Sequence, residues 1–257
     1  MASEVKTNKI SPSTSTTVTL GDASDTFVIP ASATLDVNGT IDITGATATG
    51  FPSAGFAGVH ADVTSGSSTY TVPADITKLL VIITGGGGSG ASGTTAVGAG
   101  GGGCSAGTVM ARVTVVATDT ITIAIGAGGV ATANSSGNVG NVGGDSTFTH
   151  ASGSGSFDTI TAPGGRAGPL INTVAVAPVA PTVGASNEGI AIKGGYNAIH
   201  NGSASFWGQG GATGVHVSAV STVGEAFGSG GGSGTYSAGR FYGSAGADGV
   251  CFIMEFK

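Results

Sequence analysis

Residues 83–104 read ITGGGGSGASGTTAVGAGGGGC, a strand-forming end that gives way to a segment in which about half the residues are glycine. Glycine loses more conformational freedom on folding than any other residue, because without a Cβ its unfolded state is the broadest. A chain with 50 glycines among 257 residues is therefore a flexible linker unless something fixes it. Here the glycine runs lie between dense β-branched segments, LLVII at 79–83 and TITIAI at 120–125. That alternation predicts ordered glycine walls held by strands, and a chain built for display rather than catalysis.

Composition narrows the classes further. Charged residues make up 9% and aromatic residues 6%, and the mean hydropathy is +0.33. A disordered chain shows the reverse, low hydrophobicity with high net charge. A coiled coil needs charged residues and leucine at heptad spacing, and no helical period is present. A net charge of −6 with only 8 Lys+Arg leaves no basic footprint for nucleic acid or an anionic membrane. No run approaches the ~18 apolar residues of a membrane span, so membrane insertion is not expected. The start, MASEVKTNK, lacks the apolar core of a signal peptide, so Sec-type secretion is not expected and synthesis in a cytoplasm is. Cys104 and Cys251 are expected as reduced thiols, Cys251 packing within a terminal strand; a disulfide between them would need an oxidising compartment.

Residues 1–50 carry little glycine and many threonines, in short alternating runs at 17–20, 26–29, 34–37 and 41–43. Turn signals at Gly21-Asp22, Pro30-Ala31 and Asn38-Gly39 separate the runs. Each offers two or three apolar side chains on one face, such as Val18 with Leu20 or Ile41 with Ile43. Fifty such residues cannot bury enough surface alone, so a core shared between identical copies is predicted, a short-stranded trimeric shaft. Residues 51–68 read as a linker or collar, and 69–257 as a glycine-rich β domain. There, strands are predicted over 78–84, 108–116, 119–125, 146–150, 157–161 and 249–256, the last with Phe252, Met254 and Phe256 on one face. Six to eight strands suffice for a two-layer sandwich, giving an all-β fold. The long connections at 126–144, 164–168, 194–214 and 228–249 call for order of their own. Glycine permits one solution: extended polyglycine-II-like strands whose N–H and C=O groups pair with neighbouring strands at close approach.

The series YTVP at 70–73, LLVII at 79–83, glycines at 85–88 and 100–103, AGTV at 106–109, GAGG at 126–129, GGDS at 143–146 and GADGV at 246–250 resembles the glycine-rich C-terminal domain of bacteriophage tail fibre proteins. The likeness covers residues 69–257. Residues 5–50, with KISP at 9–12 and TFVIP at 26–30, look like the N-terminal part of marine podovirus fibres. Residues 170–183 and 187–207 depart from the glycine pattern. The resemblance implies a homotrimer in the virion tail, made in the host cytoplasm, that attaches the virion to the bacterial surface by binding, without catalysis or cofactor. It also implies that residues 1–20 join a tail adaptor or nozzle, and that the receptor is a polysaccharide or an outer-membrane protein. Two other readings stay open: a purely structural virion protein (tail spacer or capsid decoration), and a glycine-rich ice- or carbohydrate-binding surface protein.

Other motifs carry less. Gly85-x-Gly87-x-x-Gly90 follows a strand in the pattern of a dinucleotide fingerprint, but ASGTT at 91–95 cannot supply the helix whose N-terminus would hold the pyrophosphate. His60, His150, His200 and His216 show no metal-ligand spacing and read as polar residues on loops. GGDS at 143–146 lacks the nonapeptide repeat of a calcium-binding β-helix, and no pair of convergent carboxylates suggests a glycosidase. One constellation stands out: Tyr196, Asn197, His200, Asn201, Phe206, Trp207, Gln209, Tyr236, Arg240 and Tyr242. The only tryptophan and all but one of the tyrosines of the chain fall there. Aromatic rings with guanidinium and amide groups suit a carbohydrate or protein contact surface. Alternatively, Phe206, Trp207 and Phe241 fill gaps between glycine strands.

Overall fold

The computed structural model describes residues 55–93, 98–133, 137–170, 178–196, 200–213, 221–234 and 242–257. The shaft read into residues 1–50 lies outside the described residues. Strands β1 (Phe56–Asp62), β2 (Gly66–Thr71), β3 (Lys78–Thr84), β4 (Thr108–Thr114), β5 (Thr120–Ile125), β6 (Ser146–Ser152), β7 (Ile160–Ala162), β8 (Glu188–Ile192) and β9 (Val250–Phe256) follow in order. They pair antiparallel into a five-stranded sheet, β1-β9-β3-β4-β8, and a four-stranded sheet, β2-β5-β6-β7. The fold is all-β, two antiparallel sheets with no helix among the described residues.

Alternation along the strands explains why the two sheets face each other. Leu79, Val81 and Ile83 of β3 point inward with Val109, Ala111 and Val113 of β4 and Cys251 and Ile253 of β9. Ile121, Ile123 and Ile125 of β5, Phe148 of β6 and Ile160 of β7 meet them from the other sheet. Phe157 stacks on Phe148 at 5.4 Å between ring centroids. Removing these side chains from water at about 1.5–3 kcal/mol each is the main driving force of the sandwich. Cys104 and Cys251 are both buried and are not joined to each other. Burial, and secondarily the charge of Asp62, pushes the Cys251 thiol up, away from the reactive thiolate.

Three strands were not predicted from the sequence: β2, GSSTYT at 66–71, straddles the boundary drawn at residue 68 and pairs with β5, and β1 and β8 were not legible at all. Within 51–68, read as linker, FAGVHAD forms β1, an edge strand recruited by β9 through the pairs Val59↔Met254 and Ala61↔Phe252. EGIAI at 188–192 forms β8, recruited by β4. Both are too short and mixed to show a period alone; partner strands supply the ladder. His60 consequently lies on β1 and not on a loop as expected, and His150 lies on β6, within the strand predicted over 146–150 and not on a loop.

Between the strands the chain runs as extended glycine segments whose hydrogen bonds repeat every three residues. In 85–93, Gly85, Gly88 and Ala91 donate to the carbonyls of Gly107, Cys104 and Gly101. Gly86, Ser89 and Ser92 donate to Gly144, Asn141 and Asn138, while Gly87 and Gly90 donate to Ala247 and Ser244. Its carbonyls accept from three further segments: from Gly165 and Gly168, from Gly129, and from Gly231 and Gly234. A pleated strand has two sides and two neighbours. In 85–93 the bonding direction recurs at every third residue, so the segment bonds to six others, and every one of its residues is buried.

Such packing requires that no Cβ intervene. A Cβ on Gly87 would stand 1.9 Å from the carbonyl oxygen of Ser229, and one on Gly102 the same distance from that of Asn201. Both neighbours are backbone atoms held by their own bonds, so neither can yield cheaply. At the outer Gly144 the nearest atom to an added Cβ is 3.1 Å away.

A second device holds the β4–β5 turn. Thr118 sits at φ 71°, a conformation that a β-branched residue adopts only under constraint. Asp119 supplies it: the buried carboxylate accepts from the N–H of Val116 at 2.9 Å and of Gly155 at 3.1 Å. Burial alone would raise its pKa, but the amides of Val116 and Gly155, the nearby His150 and the Ser154 amide outweigh that and hold the carboxyl below the usual carboxylate range.

Two outcomes are expected. Gly87→Ala costs more than about 3 kcal/mol, whereas Gly144→Ala costs under about 1; equal melting temperatures for the two variants in calorimetry would contradict the six-neighbour packing. For Asp119, a lowered folded pKa means its contribution is complete above about pH 4, near the unfolded value, and lost as pH falls through the folded one. Asp119→Asn should therefore melt several degrees lower than wild type at pH 7, with the gap closing towards pH 2.

Candidate functional site

The glycine segments leave the sandwich at one end, as continuations of β3, β5 and β7 and as approaches to β4, β6 and β9. Bonding runs outward from Gly85–Gly107, beside the strands, to Ala91–Gly101 and Gly93–Gly137. Ser233 bonds to His200, Gly100 to Gly234 and Thr132 to Gly243 at that far level. Gly93, Gly137, His200, Thr213, Gly234 and Tyr242 thus mark a common distal rim. The sequence between them, 94–97, 134–136, 197–199, 214–220 and 235–241, is anchored there at its described ends.

The candidate residues are divided by this geometry. Tyr196, Asn201 and Gln209 come together with Gly195, Gly202 and Ser203 around a groove of about 500 Å³. Its floor is backbone, with the Ser203 hydroxyl donating to the carbonyl of Tyr196. Tyr196 is 64% exposed, and its phenol is free to meet a ligand. Asn201 Oδ1 accepts from the Thr213 N–H at 3.0 Å, which turns its NH₂ outward. His200 Nδ1 lies 3.3 Å from the Gly100 carbonyl oxygen, which as an acceptor places the proton on Nδ1. Tyr242 is half-buried on the rim, its carbonyl accepting from Ser221. Asn197, Tyr236 and Arg240 lie outside the described residues.

Phe206 and Trp207 stand elsewhere. The segment from His200 runs back to the sandwich and reverses in a two-residue turn closed by Ser205↔Gly208. Phe206 and Trp207 are its central residues. The Trp207 indole N–H donates to Thr84 Oγ1 at 2.8 Å, and its ring leans on Phe252 at 5.2 Å and meets Phe206 edge-on at 5.0 Å. Trp207 is therefore an anchor of the bundle on β3 and β9, while Phe206 remains 47% exposed. Beside it opens a groove of about 690 Å³ lined by Val63, Trp207, Glu225, Phe227 and Asp248. Glu225, Phe227 and Asp248 escaped sequence reasoning; a lone aromatic between acidic and glycine-rich residues, EAFGSGGG at 225–232, was the available signal. Both grooves combine aromatic surface with hydrogen-bonding groups and suit sugars or polar peptide side chains.

Two arrangements resemble hydrolytic machinery and lack its geometry. Residues 103–107, GCSAG, match the nucleophile-elbow spacing, but they lead from a glycine segment into β4 with no helix following. Ser105 is buried there, its oxygen accepting from the Gly195 N–H at 2.6 Å. His60, Asp62 and Ser68 converge, yet the Ser68 hydroxyl donates to Asp62 at 2.7 Å. His60 contacts the same carboxylate at 3.5 Å, so the imidazole is not placed to take the serine proton.

Trp207→Ala should lower stability by about 2 kcal/mol, or roughly 4–8 °C in melting temperature, while Phe206→Ala leaves it within about 0.5 kcal/mol. Thermal melts of the two variants followed by circular dichroism check this; equal effects would remove the anchoring role.

No curated protein matches the chain. A family model for the glycine-rich domain matches residues 62–254, from the end of β1 into β9. That span is most of the chain and coincides with the sandwich and its glycine bundle, and the chain belongs to the glycine-rich domain family.

Proposed function

We propose that the chain is a bacteriophage tail fibre protein that attaches the virion to a bacterial surface by binding. In this reading residues 1–20 join the tail adaptor or nozzle, residues 1–50 form a trimeric shaft, and the glycine strands, as polyglycine-II helices, present the receptor-binding tip. The observation that carries the proposal is the common distal rim. Described residues that flank five stretches of the sequence converge at one end of a hydrogen-bonded bundle, and a scaffold that gathers connections at one end is suited to presenting a binding surface. Those segments and the adjoining groove hold the tyrosines, amides and Arg240 of the candidate set.

Recognition of a surface polysaccharide fits the Tyr196 groove best. An exposed phenol and the free edges of Asn201 and Gln209 offer a stacking face with donors and acceptors and no charge. Three copies on one axis would multiply weak contacts through effective concentration.

The purified full chain should block phage adsorption to host cells in a saturable manner. Tyr196→Ala should weaken that competition about tenfold, ~1.4 kcal/mol per site. Stripping the polysaccharide from the cells should abolish binding, and protease treatment should spare it. Absence of competition at saturating protein defeats the proposal.

A further inference from the structure

The outward faces of the two sheets differ. On the four-stranded sheet the residues pointing away from the core are mainly threonine and serine: Thr69, Thr122 and Thr149 form one cross-strand row. On the five-stranded sheet the equivalent row is Ala61–Phe252–Ile82–Met110–Ile190. The next row begins Val59–Met254–Leu80 and ends in the Arg112–Glu188 ion pair. The strands show the same contrast in sequence. TITIAI of β5 alternates, as a strand with one wet face does, whereas KLLVIIT of β3 and VCFIMEF of β9 are nearly continuous apolar runs. Such runs mark strands covered on both faces. Yet Val59 is 58% and Ile190 62% exposed, and Leu80, Ile82, Met110 and Met254 are only partly buried.

We infer that this outer face of the five-stranded sheet is the surface through which copies of the chain pack against one another. The occupant follows from where the rest of the chain enters. Residues 1–54 run directly into β1, the edge strand of this face, and their short apolar runs cannot form a core alone. In the trimer of the proposed function those segments associate, which would bring the β1 strands of neighbouring copies together, and the apolar faces with them. The only charges in its two central rows are the paired Arg112 and Glu188, so identical copies meet without like-charge repulsion. Strand spacing gives the face about 500 Å², less than the ~800 Å² per partner of a standard interface. The N-terminal segments supply the remainder, and for that reason the full chain is the object to test. The inference rests on the oligomeric part of the proposed function and not on adhesion.

Light scattering on the full chain should give a multiple of 24.2 kDa. The double variant Val59→Asp/Ile190→Glu should raise the dissociation concentration at least about a hundredfold, with unchanged circular dichroism. Thr69→Asp/Thr122→Asp on the other sheet should leave the mass unchanged. Should the double variant fail to fold, Val59→Cys treated with a short bismaleimide should give covalent dimers, since both native cysteines are buried and each copy then offers one thiol. An oligomer insensitive to the double variant, or a Val59→Cys protein that does not cross-link, overturns the interface and leaves the fibre reading standing. A monomeric wild type, whether residues 1–54 fold back on the face or leave it bare, overturns both the interface and the trimer.

Discussion

The backbone groups of the segment 85–93 find their partners on other segments, since none of its backbone–backbone bonds closes within the segment itself. That dependence organises the domain. The segment is fully buried, so water cannot serve as partner, and an unmade bond would cost about 1–3 kcal/mol. Six neighbours supply the partners, and they can come close enough only where side chains are absent. Glycine's entropic cost is thus offset by a dense array of backbone bonds. The side chains that do occur near the centre are small: serines, alanines and Cys104 stand where a neighbour leaves room.

The sandwich makes this arrangement attainable. A long glycine segment searching for six partners faces a large loss of conformational freedom. Strands β3 through β7 and β9 are ordered by their apolar faces, and each delivers a glycine segment to the same end in a fixed orientation. Trp207 ties the returning segment to Thr84 and Phe252, and Asp119 locks the opposite turn. Hydrophobic burial therefore fixes the starting points, and backbone bonding propagates order outward to the rim.

What the sequence disclosed follows the same division. β3, β5 and β9 were legible because strong β-formers repeat over six or seven residues, and the two-sheet fold with glycine segments bonded between strands follows from them. β1 and β8 were not, because FAGVHAD and EGIAI become strands only through β9 and β4. Of the candidate site, the grouping of Tyr196, Asn201 and Gln209 was legible as a cluster of aromatics and amides. The separation of Trp207 from that cluster was not. It depends on a turn at Ser205–Gly208 that carries the chain back to the sandwich, and nothing local in SASFWGQ specifies how far the segment runs before reversing.

The domain has two kinds of surface, and they make different demands. At the rim, the described backbone is tied by bonds between segments, such as Gly93–Gly137 and His200–Ser233. In the proposed function, a tyrosine or amide held by such backbone would lose little further freedom on meeting a ligand, because its attachment point is already fixed. At the other extreme, the outer face of the five-stranded sheet carries the apolar residues that the bundle cannot accommodate. Phe252 is used within the copy, as the ring on which Trp207 leans, but Leu80, Ile82, Met110 and Met254 sit in strands whose inner faces already fill the core. Solvent-facing threonine would serve there as it does on the four-stranded sheet. A sheet that keeps apolar residues on both faces is suited to being covered twice: its own partner sheet covers one face, Trp207 covers part of the other at Phe252, and the inferred interface would cover the rest.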